Sequence, residues 1–409
     1  MFRYLPAEIK RMNERFSHIR RSGVLLLALL GACNLAPPRL PAPQQIAAPD
    51  PSQVERVLFL VGDPGEARRD HYPIVPRLQQ DIEWWAERLP RDSAVTVLFL
   101  GDIVYPLGLH APGTPEYPAD SAVVMDQVRL VAGRFARQRR AQGYFMAGNH
   151  DWGLKTEREG YERLKNLDAF LAAARSQTNA QVRLVPEAGT GGPYVVDIGE
   201  HIRLLILDSA WWIIGGWRSS DNAHRVMLER VQAAMKTAGN RQVIFAAHHP
   251  FQSAGPHGGE FSFWETIGLR YILARSGAVL QDLSSYPYRE LKAGLRSIFN
   301  QTGPPLLFVG GHEHSLQLIE GRWPNDPKFS IVSGSASKVS GIGREKNMRF
   351  GRAAPGYMRL LVHRDGRMSV FVESAPAQFK SCPTEDPQRQ ECMAAGAAAF
   401  QTVHSQHIR

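Results

Sequence analysis

Short apolar segments that end in polar residues recur along this 409-residue sequence. One of them, residues 95–100, is followed directly by Gly101 and Asp102. A continuous apolar run rich in β-branched residues is typical of a strand that is buried on both faces. Asp102 is therefore expected at the carboxyl end of a buried strand, which is the edge where open α/β sheets bind ligands.

The same pattern occurs at four other places in the chain. Apolar runs at 57–61, 144–147, 243–247 and 306–309 lead into polar residues, which are Asp63, Asn149 with His150, His248, and His312 with His314. A single acidic residue after a strand is commonly a turn residue or a helix cap, and we interpret Asp208 in that way. Five such strand ends in one chain instead indicate a shared site at one sheet edge.

The order of the predicted elements indicates the fold class. Strands alternate with helical patterns, such as 157–175 and 221–237, in the first part of the chain. Later segments form predicted hairpins, of which 357–362 with 368–373 is the clearest. Residues 260–303 mix helix and turn signals and remain unassigned. The pattern favours an α/β domain of mixed sheets with helices outside.

Residues 1–33 are predicted to be a signal segment. Basic residues precede an apolar run at 23–30, which is too short to span a bilayer but typical of an export signal. The run ends in Leu-Gly-Ala-Cys33, which resembles the bacterial lipobox, whose cysteine is lipidated. We therefore expect an exported envelope protein held at a membrane through Cys33. An ordinary cleaved signal is the alternative, and translation starting at Met12 would give a leader of more usual length.

Three further segments follow the signal. Residues 34–53 contain six prolines and are expected to be a linker, and residues 54–375 form the folded domain. Residues 376–409 are expected to be a weakly ordered tail. In an exported protein Cys382 and Cys392 are expected to form a disulfide, with two free thiols as the alternative.

The charge of the chain limits its partners. The formal net charge is +9, and residues 1–32 hold six basic and two acidic residues, so that the remainder carries +5. A modest positive charge suits a small anionic substrate. The sequence shows no basic run with interleaved aromatic residues, and we therefore expect no nucleic acid partner.

The side chains at the five strand ends share one chemistry. Carboxylates, an amide oxygen and imidazoles are ligands that suit divalent or trivalent first-row metals. A carboxylate has two oxygens and can therefore bridge two ions in a hydrolytic two-metal site. The sequence predicts a metal centre at this sheet edge.

In chain order these strand ends contain Gly-Asp-x-Gly, Gly-Asp-x-x-Tyr, Gly-Asn-His-Asp, Ala-Ala-His-His-Pro and Gly-His-x-His. The series resembles the calcineurin-like metallophosphoesterases over residues 55–335, which implies a four-layer α/β/β/α sandwich of two mixed sheets flanked by helices. The first motif, Asp63-Pro64-Gly65, lacks the histidine found in most of that superfamily. Tyr105, three residues after Asp102, resembles instead the tyrosine of the small, single-domain purple acid phosphatases.

The resemblance implies two ligand sets that share Asp102. The first ion would be held by Asp63, Asp102, Tyr105 and His314. The second ion would be held by Asp102, Asn149, His248 and His312. A phenolate favours Fe(III) at the first site, and the second is expected to take a divalent Fe, Zn or Mn ion. His249 stands where this branch commonly has tyrosine and is not counted as a ligand.

Two more histidines match catalytic positions of the resembled family. His150 is expected to contact the phosphate, and His257 is expected to protonate the leaving group. The implied reaction is hydrolysis of a phosphate monoester by a metal-bound hydroxide, without a protein nucleophile. A phosphodiesterase, or a hydrolase of nucleotides or phospholipid headgroups, is the alternative on the same site. A surface lipoprotein with a vestigial metal site is the third possibility.

Overall fold

The computed structural model describes residues 42–66, 74–132, 140–154, 157–214, 220–257, 283–343, 345–376 and 388–408. These residues contain seven α-helices, which are α1 (Ile74–Arg88), α2 (Tyr117–Arg129), α3 (Glu157–Thr178), α4 (Ser209–Ile214), α5 (Asp221–Lys236), α6 (Tyr286–Thr302) and α7 (Gln388–Ala398). A single 3₁₀ turn, Pro51–Gln53, precedes the first strand.

The strands of the described residues form two sheets of seven. Sheet 1 has the order β14-β13-β12-β1-β2-β3-β4. Its strands are β1 (Val54–Val61), β2 (Ala94–Phe99), β3 (Ala141–Phe145), β4 (Gln181–Leu184), β12 (Gly356–His363), β13 (Met368–Ser374) and β14 (Gln401–Ile408). Strands β1 to β4 are parallel, and the other three are antiparallel to their neighbours.

Sheet 2 has the order β11-β9-β10-β8-β7-β6-β5. Its strands are β5 (Tyr194–Ile198), β6 (Ile202–Ile206), β7 (Gln242–Ala246), β8 (Leu307–Gly310), β9 (Leu316–Glu320), β10 (Phe329–Ser333) and β11 (Met348–Arg352). Strands β6, β7, β8 and β10 are parallel, while β5, β9 and β11 are each antiparallel to the strands they pair with. Both sheets are therefore mixed, as the sequence predicted.

The side chains of β1 show how the layers are assembled. Leu58 and Leu60 lie in a cluster with residues of sheet 2, whereas Val57 and Phe59 lie in a second cluster with the apolar face of α1. Successive side chains of a strand point to opposite faces, so one face of sheet 1 packs on sheet 2 and the other on helices. The expected four-layer α/β/β/α arrangement is confirmed.

Helices α1 and α6 illustrate why the outer layers form. The buried residues Ile74, Leu78, Ile82 and Trp85 recur every three or four positions along α1 and give it one apolar face. Helix α6 buries Leu291, Leu295, Ile298 and Phe299 at the same spacing. It occupies the later part of the segment left unassigned from sequence, and residues 258–282 lie outside the described residues.

The carboxyl ends of the parallel strands of both sheets meet at one edge. The Asp63 N–H donates to the Gly101 carbonyl at 3.1 Å, which connects the ends of β1 and β2. The Gly62 N–H donates to the Ser333 carbonyl at 2.8 Å and thereby connects β1 to β10 of sheet 2. Residues that follow strands of the two sheets are consequently brought to one place.

Three residues at this edge have left-handed backbone conformations. The φ angles of Asp63, Asp102 and His312 are 58°, 54° and 65°. Residues other than glycine rarely adopt positive φ, and such strained positions are common at functional sites. The backbone therefore turns sharply where a polar side chain follows a buried strand.

The expectation of a weakly ordered tail is wrong for residues 388–408. Helix α7 packs near α1, and β14 pairs with β13 along the edge of sheet 1. The tail lacks a clear apolar period, yet Phe400 and Ile408 are buried because the edge of β13 offers both hydrogen bonds and an apolar face. Pairing between strands that are distant in the chain cannot be predicted from local composition.

The described part of the expected linker also packs on the domain. The Gln44 carbonyl accepts a hydrogen bond from the Ser405 N–H at 2.8 Å, and the Ile46 N–H donates to the Ser405 hydroxyl at 2.9 Å. Residues 42–50 thus lie along β14 rather than standing free.

The predicted anchor at Cys33 and the predicted disulfide between Cys382 and Cys392 both depend on residues outside the described ranges. Cys33 and Cys382 lie outside the described residues, and Cys392 is disulfide-bonded. None of the helices in the described part of the chain combines the length and the apolar composition that a membrane span requires.

Candidate metal centre

The phenol oxygen of Tyr105 lies at the middle of the first predicted ligand set. It donates a hydrogen bond to Asp102 Oδ2 at 2.7 Å and contacts Asp63 Oδ1 at 3.1 Å. The Nε2 atom of His314 lies 3.3 Å from the same oxygen and 3.6 Å from Asp63 Oδ1. All four predicted ligands of the first ion therefore converge.

The amide oxygen of Asn149 lies in the middle of the second predicted ligand set, as the Tyr105 oxygen does in the first. It lies 2.8 Å from His248 Nε2 and 3.1 Å from His312 Nδ1. The two imidazole nitrogens are 3.2 Å apart, and His248 Nε2 is 3.4 Å from Asp102 Oδ1. The four predicted ligands of the second ion also converge.

Asp102 connects the two sets through its two carboxylate oxygens. Oδ2 faces Tyr105, and Oδ1 faces His248. Donors about 2.1 Å from one ion are separated from each other by about 3–3.4 Å in tetrahedral or octahedral geometry. The distances within each set lie close to these values, so the residues present fit two ions that share one carboxylate.

Six of the seven donors are buried and closely surrounded by backbone, and the side chain of the seventh, His314, is 14% exposed. Asp63 and His248 have no solvent exposure, and Asp102 is 1% exposed. A Cβ atom added at Gly148 would overlap the Asp102 carboxylate, and one at Gly311 would lie 2.5 Å from Asp63 Oδ2. Only glycine allows the backbone to approach these carboxylates so closely.

The protonation of these groups reflects burial and mutual charge. Burial and the Asp102 charge raise the pKa of Asp63 well above its usual value. Burial and the two carboxylates raise the pKa of Tyr105 in the same way. Burial lowers the pKa of His312 well below its usual value and that of His314 to about 3. The imidazoles are therefore neutral and ready to bind a cation, which would displace protons from Asp63 and Tyr105.

Two of the three histidine donors, His248 and His314, have their second nitrogen held by a main-chain or hydroxyl oxygen, whereas the buried Nε2 of His312 has no hydrogen-bond partner in the described residues. His248 Nδ1 lies 2.8 Å from the Leu100 carbonyl, and His314 Nδ1 lies 3.2 Å from the Ser340 hydroxyl. Such contacts fix the ring orientation and leave Nε2 directed at the centre.

The two predicted catalytic histidines lie at the more open side of the centre. His150 Nδ1 is 2.7 Å from the Pro106 carbonyl, and its ring is 4.3 Å from that of Tyr105. The His257 ring lies 5.1 Å from that of His312 and 5.4 Å from that of His314. Their side chains are 21% and 35% exposed, in contrast to the buried donors. All nine predicted site residues are thus brought together.

His249 lies closer to the centre than its exclusion from the ligand sets suggests. One nitrogen each of His248, His249 and His312 lie within 4.8 Å of one another. His249 Nδ1 is 2.8 Å from the Ser209 hydroxyl, and its buried Nε2 has no hydrogen-bond partner in the described residues. Sequence reasoning noticed His249 but had no signal for this packing.

Two further residues around the centre were missed by sequence reasoning. Asp151 accepts hydrogen bonds from the main-chain N–H groups of Ile103, Val104 and Gly148, and so joins the loops after β2 and β3. Its place in Gly-Asn-His-Asp was the available signal. The Lys338 ammonium lies 3.4 Å from the ring centroid of Tyr105, in a loop without a motif.

Asp208 has the structural role expected for it. It accepts hydrogen bonds from the Trp211 N–H at 2.8 Å, as a cap of α4, and from the Trp152 indole at 2.9 Å.

Comparisons with solved structures find proteins of the same fold. GAP50, the anchor in the inner membrane complex of Plasmodium, superposes with a TM-score of 0.50 and 12% identity over 86% of this chain and 96% of its own. The purple acid phosphatase PPD1 from seeds of yellow lupin (Lupinus luteus) superposes with a TM-score of 0.50 and 14% identity over 90% of this chain, which spans 55% of the lupin chain. At these identities the likeness concerns the fold alone.

The sequence comparisons complete the assignment. A comparison with curated proteins finds no match. The family model for calcineurin-like phosphoesterases matches residues 57–316, the segment that holds every predicted donor. The chain therefore belongs to the calcineurin-like phosphoesterase family, whose metal-dependent hydrolysis of phosphoesters suits the donors of this centre.

Proposed function

We propose that this protein hydrolyses small phosphate monoesters with two metal ions. The observation that carries the proposal is the position of Asp102, whose two oxygens face two separate groups of donors. A shared carboxylate is the feature that distinguishes a two-ion hydrolytic centre from a single structural site.

When bound, the two ions supply Lewis-acid activation of a phosphoryl oxygen and of a water molecule. The chain's own residues do the rest. The buried carboxylates of Asp63 and Asp102 would balance the positive charge of the ions. His150, whose Nδ1 contacts the Pro106 carbonyl, would contact the phosphoryl group, and His257 would protonate the departing oxygen.

We propose Fe(III) for the first ion and a divalent Fe, Zn or Mn ion for the second. The buried phenol of Tyr105, in contact with two carboxylates, supports a phenolate ligand once a cation displaces its proton. Metal analysis and a visible spectrum of the purified protein test this proposal. Two ions per chain with a tyrosinate absorption band are expected, and two ions without iron would contradict it.

The substrate class is tested by comparing 4-nitrophenyl phosphate with bis(4-nitrophenyl) phosphate after loading with metal. Faster turnover of the monoester is expected, because His150 and the two ions together provide contacts for a dianionic phosphoryl group. Preference for the diester would instead support the phosphodiesterase alternative. Binding of two ions without turnover of either compound would support a vestigial site.

We also propose that the protein is exported and anchored through Cys33. The Leu-Gly-Ala-Cys33 sequence after an apolar run supports this proposal. Labelling with a fatty acid analogue is expected to mark the protein, and Cys33→Ser is expected to abolish both the label and membrane recovery. Unchanged labelling of that variant would exclude the anchor.

A further inference from the structure

Glu313 is a fully buried carboxylate that lies between the predicted ligands His312 and His314 in the chain. It belongs to neither ligand set. A buried carboxylate is costly unless hydrogen bonds compensate for the lost hydration. The partners of Glu313 therefore indicate what the residue does.

Among the residues that the structure describes, the hydrogen-bond partners of this carboxylate belong to one residue, the predicted acid His257. The His257 N–H donates to both carboxylate oxygens of Glu313, at 3.1 and 3.2 Å. The imidazole Nδ1 of His257 lies 3.2 Å from Glu313 Oε2. The carboxylate thus holds both the backbone and the side chain of His257.

The loop that carries His257 is shaped around this carboxylate. A Cβ atom added at Gly255 would overlap the carboxylate group of Glu313. The His257 carbonyl is held from the other side, because it accepts a hydrogen bond from the Leu283 N–H at 2.9 Å. His257 consequently has a defined backbone position although its side chain is 35% exposed.

The contact with Glu313 also determines which nitrogen of His257 is available. A carboxylate accepts, so Nδ1 must carry the hydrogen that lies between them. In the neutral ring Nε2 then has a free lone pair, and it lies on the side of the ring away from Glu313. The ring itself is near those of His312 and His314, over the metal centre.

We infer that Glu313 is a positioning residue that keeps one hydrogen of His257 on Nδ1 and orients the ring, so that a proton taken up from solvent at Nε2 is the one transferred to the leaving-group oxygen as the P–O bond breaks. The transfer returns His257 to the neutral Nδ1–H ring. The inference deepens the proposed function and rests on it. Carboxylates that orient a functional histidine through its second nitrogen are a general device, and their loss typically costs about 10- to 100-fold in activity.

The test compares Glu313→Gln with His257→Ala and with the double variant. The dependence of the rate on the leaving group is the main readout. Phenyl phosphate has a poor leaving group and requires proton donation, whereas 4-nitrophenyl phosphate has a good one. For Glu313→Gln we expect kcat to fall about 10- to 100-fold with phenyl phosphate and much less with 4-nitrophenyl phosphate. The double variant is expected to be no slower than His257→Ala.

Metal content of each variant is measured to separate this role from damage to the neighbouring ligands. Two ions per chain are expected in Glu313→Gln, and Glu320→Gln on the surface serves as the matched carboxylate control. Equal losses with both substrates at full metal content would overturn the inference, as would additive losses in the double variant. If Glu313→Gln loses metal or fails to fold, Glu313→Asp, which keeps the charge but not the reach, takes its place with the same criteria.

A second readout does not depend on turnover. In the ¹⁵N-labelled, zinc-loaded protein the imidazole signals of His257 are identified by their absence in His257→Ala. The Nδ1–H tautomer is expected, and Glu313→Gln is expected to shift the population toward Nε2–H. An unchanged tautomer would overturn the inference. A wild-type enzyme without phosphatase activity but with the Nδ1–H tautomer would refute the proposed function and leave the contact itself established.

Discussion

Tyr105 shows how a single residue prepares the centre for a cation. Its hydroxyl lies between Asp63 and Asp102, and burial together with these carboxylates raises its pKa well above the usual value. Without a cation the proton therefore stays on the Tyr105 hydroxyl and is donated to Asp102. A metal ion replaces that proton, so that metal binding is expected to strengthen as pH rises.

Tyr105→Phe is expected to weaken binding of the first ion by about 10-fold or more, because one of its four donors is lost. Calorimetric titration of the metal-free protein with Zn²⁺ measures the effect. Tyr144→Phe, which removes another buried tyrosine hydroxyl on β3, is the control and is expected to bind normally. Equal affinity of Tyr105→Phe and wild type would exclude Tyr105 as a ligand.

Asp208 is expected to make stability depend on pH. Burial raises its pKa from 3.8 to about 7. The unfolded chain then loses this proton near its ordinary pKa, while the folded chain retains it up to about pH 7, so the free energy of unfolding falls as pH rises between these values. The shift corresponds to about 4 kcal/mol as an order of magnitude.

Asp208→Asn is therefore expected to lower stability at about pH 4 but to show a smaller decline toward about pH 8 than wild type. Urea unfolding across this range measures both slopes. Loss of the acceptor for the Trp152 indole lowers the free energy of unfolding by an amount that does not depend on pH. Parallel curves for the two proteins would contradict the assigned ionisation of Asp208.

At the scale of elements, the loops after the parallel strands determine the centre. The loop after β3 contains Gly148, which lies against the Asp102 carboxylate of the loop after β2. Asp151 joins these loops through hydrogen bonds to three main-chain N–H groups. The two loops are therefore held together, and we expect metal binding to depend on their close approach as well as on the donor residues.

Gly148→Ala is expected to destabilise the fold by about 1–3 kcal/mol and to reduce metal content, because its methyl group would overlap Asp102. Gly341→Ala is the matched control, since a Cβ atom there meets nothing within 4 Å. Thermal unfolding and metal analysis measure the two effects. A Gly148→Ala protein with normal metal content would show that the loops can separate without loss of the site.

At the scale of the whole molecule, β14 (Gln401–Ile408) forms the edge of sheet 1 next to β13, although it lies far along the chain from the other strands' loops at the centre. It covers the edge of β13, whose seven residues are all buried. Residues 42–50 then lie along β14, so both ends of the described chain meet on this edge.

Deletion of residues 401–409 is expected to lower the melting temperature and to promote aggregation, because an apolar strand edge becomes exposed. Thermal unfolding and size-exclusion chromatography measure these changes. Gln401→Ala, which removes an exposed side chain from the same strand, is the control. A truncated protein with unchanged stability and monomer content would show that β14 contributes nothing to the fold.

The donor residues of the metal centre could be predicted from the sequence because they are marked by local patterns. Buried strands are marked by apolar runs, and the residue types at their ends identify metal donors. Glu313 was not recognised, since nothing near it in the sequence indicates that its partner is His257, 56 residues away. Strand β14 was missed for the same reason, because its pairing with β13 is not encoded in its own composition.

The sequence by itself determined the period of burial, the identity of the donors and their place after strands, because these follow from the residue types and their immediate neighbours. Only the tertiary structure decided which donors meet. Tyr105 and His314 are 209 residues apart in the chain yet 3.3 Å apart at the centre. The physical reason is that strand order and the packing of two sheets arise from the balance of burial over the whole domain, which no single segment contains.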